Sequence, residues 1–213
     1  MLSRAFVNPN RLSYSAALLA GGQSTRMGRD KALLPLPGSD LLLWQRQLAV
    51  LEDLQPEKIF WSGPVRPGLP SQIEVVTDEV TNGGPLAGIS ACLNRLQSDV
   101  LVVLAVDLPR MNVEFLQGLL ARCSVGCGAV PRRDNDFEPL AAVYPKVVAS
   151  QAAEQLKAGR LAMQNLIQQA VKIGALHIVS LERERFYLFQ NLNEPDDWAG
   201  LEKSCNESGH RPV

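Results

Sequence analysis

The sequence predicts a three-layer α/β fold built on a mostly parallel central sheet. Short apolar runs alternate with segments of helical periodicity, without an internal repeat or a low-complexity linker. Residues 99–106 form the most apolar stretch and are rich in β-branched side chains, as expected of a strand buried on both faces. The 213 residues, 46% of them hydrophobic, are enough for one domain with a substantial core.

The first predicted unit is a strand, a glycine-rich loop and a helix. The run from Tyr14 to Ala20 is small and apolar and ends in Gly21-Gly22, which is typical of a buried parallel strand that leads into a tight loop. Beyond residue 40 the apolar residues recur at helical spacing, and Ser39 and Asp40 precede them as candidate N-caps.

The later elements follow from the same two periodicities and from turn residues. The second helix begins at Gly83-Gly84-Pro85, with proline where a first helical turn tolerates it. Residues 14–203 are predicted to form a single domain, between an N-terminal extension at 1–13 and a frayed tail at 204–213. Further strands are predicted at 58–61, 73–77, 99–106, 128–132, 139–144, 176–181 and 186–192, and helices at 85–96, 112–122, 147–157, 161–171 and 195–203.

Charge and hydropathy exclude several classes of partner. Lys and Arg number 21 and Asp and Glu 22, so the net charge of −1 gives no overall field that would attract nucleic acid or an anionic membrane. No apolar run reaches the roughly 18 to 20 residues that span a bilayer, and the N-terminus lacks the apolar core of a secretory signal. We therefore expect a cytoplasmic protein that binds neither nucleic acid nor membrane, with its four cysteines reduced.

Three loops are predicted to meet at one edge of the sheet. Gly21-Gly22, Asp78 and Asp107 each follow a predicted strand. Because ligands of such sheets bind beyond the carboxyl ends of the strands, we expect these loops to line one crevice.

The loop after the first strand carries the chemistry of phosphate binding. Its glycines let backbone N–H groups approach phosphate oxygens, and Arg26 and Lys31 can neutralise a triphosphate as leaving-group charge develops. The spacing fits neither a Walker A loop nor the dinucleotide GxGxxG fingerprint, so a nicotinamide-dependent oxidoreductase is disfavoured. The alternative is a glycine-rich turn with incidental basic residues.

The same segment, LAGGQSTRMGRDK at residues 19–31, resembles the LAGGxGxRxGxxK signature of nucleotidyltransferases. With Met27 and Asp30-Lys31, it resembles the molybdenum cofactor guanylyltransferase family. The resemblance covers the chain from Ser15 to about Lys203, because further motifs follow in the family's order: Gly84-Pro85-Leu86-Ala87-Gly88, Asp107-Leu108-Pro109, Glu138-Pro139-Leu140 with Ala142-Val143-Tyr144, and Asn191-Leu192-Asn193-Glu194-Pro195.

This resemblance implies a Rossmann-like nucleotidyltransferase fold and a Mg²⁺-dependent enzyme. The implied reaction transfers GMP from GTP to the terminal phosphate of molybdopterin, with release of pyrophosphate. Molybdoenzymes or cofactor-handling proteins would be further partners. The implied catalytic residues are Arg26, Lys31 and Asp107, with Asp107 as the Mg²⁺ ligand. The residues implied to bind the nucleotide are Leu19, Ala20, Gly21, Gly22, Lys31, Asp78, Gly84, Pro85 and Asp107. The residues implied to lie near the acceptor are Glu138, Pro139, Asn191 and Asn193.

Other interpretations remain open at this level. Asp107 could cap the following helix, Asp78 could be a solvated loop residue, and the two asparagines could form a turn and a helix cap. Ser62 stands where the family is expected to offer an asparagine to the nucleobase. A related transferase that uses CTP or a sugar-phosphate acceptor, or a non-catalytic nucleotide-binding protein of the same fold, would share most of these features.

Overall fold

The structure, a computed structural model, describes residues 12–21, 30–36, 39–77 and 83–191. Among these residues, eight strands form one sheet and five α-helices pack on its two faces. The strands are β1 (Tyr14–Leu19), β2 (Ile59–Ser62), β3 (Glu74–Val76), β4 (Val100–Ala105), β5 (Gly128–Arg133), β6 (Asp136–Phe137), β7 (Ala141–Pro145) and β8 (Leu176–Ser180). The helices are α1 (Leu43–Asp53), α2 (Gly84–Arg95), α3 (Val113–Leu120), α4 (Ala149–Lys157) and α5 (Met163–Lys172).

The sheet has the order β3-β2-β1-β4-β7-β5-β6, and β8 pairs with β5. Strands β1 to β4 are mutually parallel, with Ala16 opposite both Ile59 and Val102. Only β6 and β7 run against the other described strands. The sheet is therefore mixed but mostly parallel, which confirms the predicted fold class.

Two apolar cores lie on the two faces of the sheet. In β1, Ala16 and Leu18 face the core that contains residues of α1 and α3, whereas Ala17 and Leu19 face the core that contains residues of α2, α4 and α5. Every residue of β4 is buried. A strand covered on both faces must be apolar throughout, which explains why residues 99–106 showed no alternation.

The start of α1 differs from the prediction. The helix begins at Leu43, and its cap residue is Leu42, whose N–H donates to Oε1 of Gln45 at 2.8 Å. The hydroxyl of Ser39 instead accepts a bond from the N–H of Leu41 at 3.1 Å. The predicted caps Ser39 and Asp40 are wrong because Leu42 still pairs with Pro35 in a β-bridge, so the helix begins only after that residue.

The strand predicted at residues 186–192 is also wrong. Residues Arg183–Phe189 form a 3-10 helix, in which Phe186 and Phe189 are one turn apart. Phe189 packs edge-to-face on Phe115 of α3, with ring centroids 5.3 Å apart. Phe189, one of the aromatic residues that suggested a strand, therefore serves tertiary packing, whereas Tyr187 is exposed.

The other predicted strands and helices within the described residues lie within a few residues of their predicted bounds, whereas the two-residue strand β6 was not predicted. The helix predicted at 195–203, the tail at 204–213 and most of the N-terminal extension lie outside the described residues. In the part of the chain that the structure describes, no helix combines the length and apolar character needed to cross a membrane.

Candidate active site

The ends of β1 and β4 are joined at the carboxyl edge of the sheet. Beyond the last residue of β4, the N–H of Val106 donates to the carbonyl oxygen of Leu19 at 3.0 Å. On the other side of β1, the N–H of Ala20 donates to the carbonyl oxygen of Ser62 at 2.7 Å. Gly21, which follows, is exposed. Three of the predicted nucleotide-binding residues, Leu19, Ala20 and Gly21, are thus placed next to the residue that precedes Asp107.

Two glycines, Gly63 and Gly88, allow neighbouring segments to approach closely at this edge of the sheet. Gly63 has φ +147°, and a Cβ there would lie 2.6 Å from the carbonyl carbon of Ala20. A Cβ on Gly88 of α2 would lie 2.4 Å from Oγ of Ser62. The first turns of α2 therefore rest directly on the end of β2, and this contact requires glycine at residue 88.

The start of α2 presents the predicted residues Gly84 and Pro85 at the surface, where both are exposed. Ser62, which stands in place of the expected asparagine, is only 4% exposed and lies beneath Gly88. Its side chain therefore packs under α2 instead of facing solvent.

Lys31 begins a short 3-10 helix, Lys31–Leu33, whose position is fixed by the preceding residue. Oδ1 of Asp30 accepts a bond from the N–H of Ala32 at 3.1 Å. The other oxygen, Oδ2, forms an ion pair with Nη2 of Arg66. Sequence reasoning missed Arg66, because it lies in a turn-rich stretch with no periodic signal and meets Asp30 only in the folded chain.

Asp107 lies two residues beyond the end of β4 and is half-buried. Its Oδ1 atom is buried and has no hydrogen-bond partner. Burial raises the pKa of the Asp107 carboxyl, and the positive charge of Lys31 acts in the opposite direction. The structure therefore brings together two of the three predicted catalytic residues, Lys31 and Asp107, at the carboxyl edge of the sheet.

The alternative role of Asp107 as a helix cap is not supported. The cap of α3 is Asn112, whose Oδ1 accepts a bond from the N–H of Phe115 at 3.0 Å. The carboxylate of Asp107 thus has no part in beginning the next helix.

The predicted acceptor motif borders the same edge of the sheet. The carbonyl oxygen of Leu140 accepts a bond from the N–H of Ala105, the last residue of β4, at 2.8 Å. The carbonyl oxygen of Pro139 accepts from the hydroxyl of Tyr144 at 2.8 Å. Glu138 and Pro139 are therefore held beside the strand that leads to Asp107.

Glu138 itself is partly buried and lies against a basic side chain. Its Oε1 is 3.0 Å from Nε of Arg133. Burial raises the pKa of Glu138, the charge of Arg133 lowers it, and Asp136 raises it further. The carboxyl is thus part of a local charge cluster at the end of β5 and β6.

Several predicted site residues lie outside the described residues, namely Gly22, Arg26, Asp78 and Asn193. Asn191 is described and exposed, two residues beyond the 3-10 helix at Arg183–Phe189. Within the described ranges, no group of three or more His, Cys, Asp or Glu side chains could hold a metal ion.

Residues 16–173 match the family described as the MobA-like NTP transferase domain. A probable molybdenum cofactor guanylyltransferase of Opitutus terrae is 36% identical over 196 residues, which cover 90% of this chain and 96% of that protein. A molybdenum cofactor guanylyltransferase of Syntrophotalea carbinolica is 31% identical over 193 residues, which cover 86% of this chain and 88% of that protein.

Solved structures show the same fold. Molybdopterin-guanine dinucleotide biosynthesis protein A of Archaeoglobus fulgidus superposes with a TM-score of 0.68 at 24% identity, covering 91% of this chain and 99% of its own. The 2-C-methyl-D-erythritol 4-phosphate cytidylyltransferase of Thermus thermophilus superposes with a TM-score of 0.65 at 15% identity, covering 90% and 98%. From the match over residues 16–173 and the relatives above 30% identity, the chain belongs to the family of MobA-like NTP transferase domains.

Proposed function

We propose that this protein transfers GMP from GTP to the terminal phosphate of molybdopterin and releases pyrophosphate. The relatives that support this assignment bear the name molybdenum cofactor guanylyltransferase and match nearly the full chain. In the structure, the observation that carries the proposal is the unpartnered Oδ1 of Asp107 near the charge of Lys31, at the carboxyl edge of the sheet.

The nucleotide would lie across the end of β1 and the start of α2. The exposed backbone at Gly21 and the residues Gly84 and Pro85 face solvent at this edge, so they are available to a ligand. Lys31 would offset the charge of the triphosphate and of the departing pyrophosphate. In this proposal Gly22, Arg26 and Asp78 complete the GTP site.

The Asp107 carboxylate suits a hard divalent cation. Its Oδ1 is buried without a hydrogen-bond partner, and such an atom is costly unless a donor or a cation meets it. Mg²⁺ takes only one or two protein carboxylates together with phosphate oxygens and water, which fits a site without a larger acidic cluster among the described residues. When bound, Mg²⁺ would supply positive charge that stabilises the α-phosphate during transfer.

The reaction needs no nucleophile or general base from the protein. An oxygen of the acceptor phosphate forms a bond to the α-phosphorus of GTP, and the bond from that phosphorus to the bridging oxygen of the β-phosphate breaks. The electron pair leaves with pyrophosphate. A phosphate monoester is largely ionised at neutral pH, so the protein's task is to align two anions and offset their repulsion. Glu138, Pro139, Asn191 and Asn193 are proposed to lie near the acceptor.

The direct experiment incubates the protein with Mg²⁺, molybdopterin and each of the four nucleoside triphosphates in turn, and identifies the products by mass spectrometry. We expect the guanine dinucleotide and pyrophosphate, formed fastest with GTP. A cytosine dinucleotide as the main product would overturn the guanine assignment and leave nucleotidyl transfer intact. Absence of a dinucleotide with every triphosphate would contradict the proposed reaction.

A further inference from the structure

Gln47 of α1 is a polar side chain that is completely buried, with 0% of its surface exposed. Its Nε2 donates to the carbonyl oxygen of Leu108 at 2.6 Å and to that of Ala105 at 3.3 Å. These two carbonyl groups flank Val106 and Asp107. A single side chain from a neighbouring helix thus ties both ends of the turn that carries the Asp107 carboxylate.

Three of the four hydrogen-bonding positions of this amide are used. Its two N–H groups have the two carbonyl partners, and its Oε1 accepts from Nη1 of Arg46 at 2.6 Å. The N–H groups of the strand end are bonded elsewhere, that of Ala105 to Leu140 and that of Val106 to Leu19. Gln47 therefore supplies donors to two carbonyl groups, one at the last residue of β4 and one just beyond the turn.

Packing of the apolar core does not by itself explain a glutamine at residue 47. The other residues on the same face of α1, Trp44, Leu48 and Leu51, are buried and apolar. An apolar residue at 47 would continue that face without the cost of burying an amide. The polar choice is explained by the turn that it holds.

We propose that Gln47 is a positioning residue for Asp107, holding the turn at residues 105–108 so that the carboxylate is placed for nucleotidyl transfer. This inference rests on the proposed function. Catalytic groups must stay within roughly 0.5 Å of their productive position, and a misplacement of about 1 Å can lower the rate about 10²-fold. A side chain that fixes both sides of a two-residue turn can hold a carboxylate to that tolerance.

The test compares two matched substitutions of buried glutamines. Gln47→Met removes both donors while nearly keeping the length and volume of the side chain. Gln155→Met is the control, because Gln155 is also buried but lies in α4 on the other face of the sheet, where its Nε2 donates to Oε1 of Gln169 at 3.2 Å. Both substitutions leave the hydrogen-bond partners of the amide without a donor, so both variants are expected to melt at lower temperature than the wild type.

The expected results separate positioning from stability. At saturating GTP and molybdopterin, Gln47→Met should lower turnover about 10²-fold and raise the Mg²⁺ concentration for half-maximal rate, whereas Gln155→Met stays close to wild type. In crystals, the Asp107 carboxylate should be displaced in Gln47→Met only. If Gln47→Met does not fold, Gln47→Asn, which shortens the arm by one methylene, is compared with Gln155→Asn in the same way.

Two outcomes would overturn the inference. One is a Gln47 variant with the turnover and Mg²⁺ dependence of its Gln155 counterpart, and the other is an Asp107 carboxylate at its wild-type position in that variant. If the wild-type protein transfers no nucleotide at all, the proposed function has failed, and the carboxylate position in the crystals still decides whether Gln47 positions Asp107.

Discussion

Arg66 and Asp30 form an ion pair that joins the loop after β2 to the residue immediately before Lys31. The Arg66 side chain is only 11% exposed, whereas that of Asp30 is 37% exposed. Asp30 also caps the short 3-10 helix that Lys31 begins. The ion pair therefore holds Lys31 at the carboxyl edge of the sheet, near Asp107.

Arg66→Met should impair transfer more than stability. We expect a loss of about 1 kcal/mol or less in the free energy of unfolding, because one partner is partly exposed, and a drop in kcat/KM for GTP of about tenfold, because Lys31 loses its anchor. The control is Lys58→Met, which breaks the exposed Lys58–Glu74 pair at 2.8 Å. Thermal melts measure the change in stability, and steady-state kinetics measure kcat/KM for GTP. Equal kcat/KM in the two variants would contradict the role of Arg66 in holding Lys31.

Lys31→Ala should lower the rate of the chemical step, because in the proposed reaction its charge would act on the triphosphate and on the departing pyrophosphate. Loss of a preorganised electrostatic contact of this kind costs on the order of 10²-fold in rate. Lys146→Ala is the matched control, since Lys146 is exposed and lies beyond Pro145, which pairs with the first residue of β4 at the opposite edge of the sheet. A single-turnover rate unchanged in Lys31→Ala at saturating GTP would show that the lysine has no role in transfer.

Gly88→Ala should destabilise the protein by about 1 to 3 kcal/mol, because the added methyl group would lie 2.4 Å from Oγ of buried Ser62. Gly118→Ala in α3 is the control, because apart from its chain neighbours and the backbone of its own helix no atom lies within 4 Å of the added methyl group there. That substitution should stabilise the protein by roughly 0.5 to 1 kcal/mol through helix propensity. Thermal melts of equal midpoint for the two variants would mean that α2 does not press on Ser62.

Stability should depend on pH through Asp107. Burial raises the pKa of this carboxyl in the folded state. At a pH between its ordinary pKa and the raised pKa, the folded protein therefore binds more protons than the unfolded chain. The free energy of unfolding consequently falls as pH rises through that window. Without metal or nucleotide, Asp107→Asn should therefore melt higher than wild type at pH 7, and the difference should close at acidic pH. A difference in melting temperature that did not change with pH would contradict a raised pKa of the Asp107 carboxyl in the folded state.

The sequence predicted the parts of the fold that depend on continuous burial. β1 and β4 were predicted because strands covered on both faces must be apolar throughout. Leu19, Ala20 and Gly21, in contrast, were predicted as nucleotide contacts only from the family resemblance, and that role stays a prediction. The 3-10 helix at Arg183–Phe189 was not found, since its aromatic residues carry the same local propensity as a strand. Periodicity reports which side chains are buried, and short helices of this kind are decided by tertiary contacts.

Local sequence patterns did not predict the two residues that support the site, Gln47 and Arg66. Gln47 occupies a core-facing position of an amphipathic helix, and nothing along the chain shows that the carbonyl groups at Ala105 and Leu108 need donors. Arg66 meets Asp30 across 36 residues of sequence. Motifs identify groups that meet a ligand, whereas the groups that hold them in place depend on the three-dimensional arrangement.

The proposed role of Asp107 as the Mg²⁺ ligand is tested most directly by the Mg²⁺ dependence of guanylyl transfer in Asp107→Asn. The variant and the wild-type protein are assayed side by side with GTP and molybdopterin. Asparagine keeps the size and most of the hydrogen-bonding capacity of the side chain but lacks the negative charge that a hard cation favours. We predict a well-folded variant that has lost most transfer even at high Mg²⁺. Substantial transfer by folded Asp107→Asn with the Mg²⁺ dependence of wild type would contradict the placement of the reaction at this carboxylate.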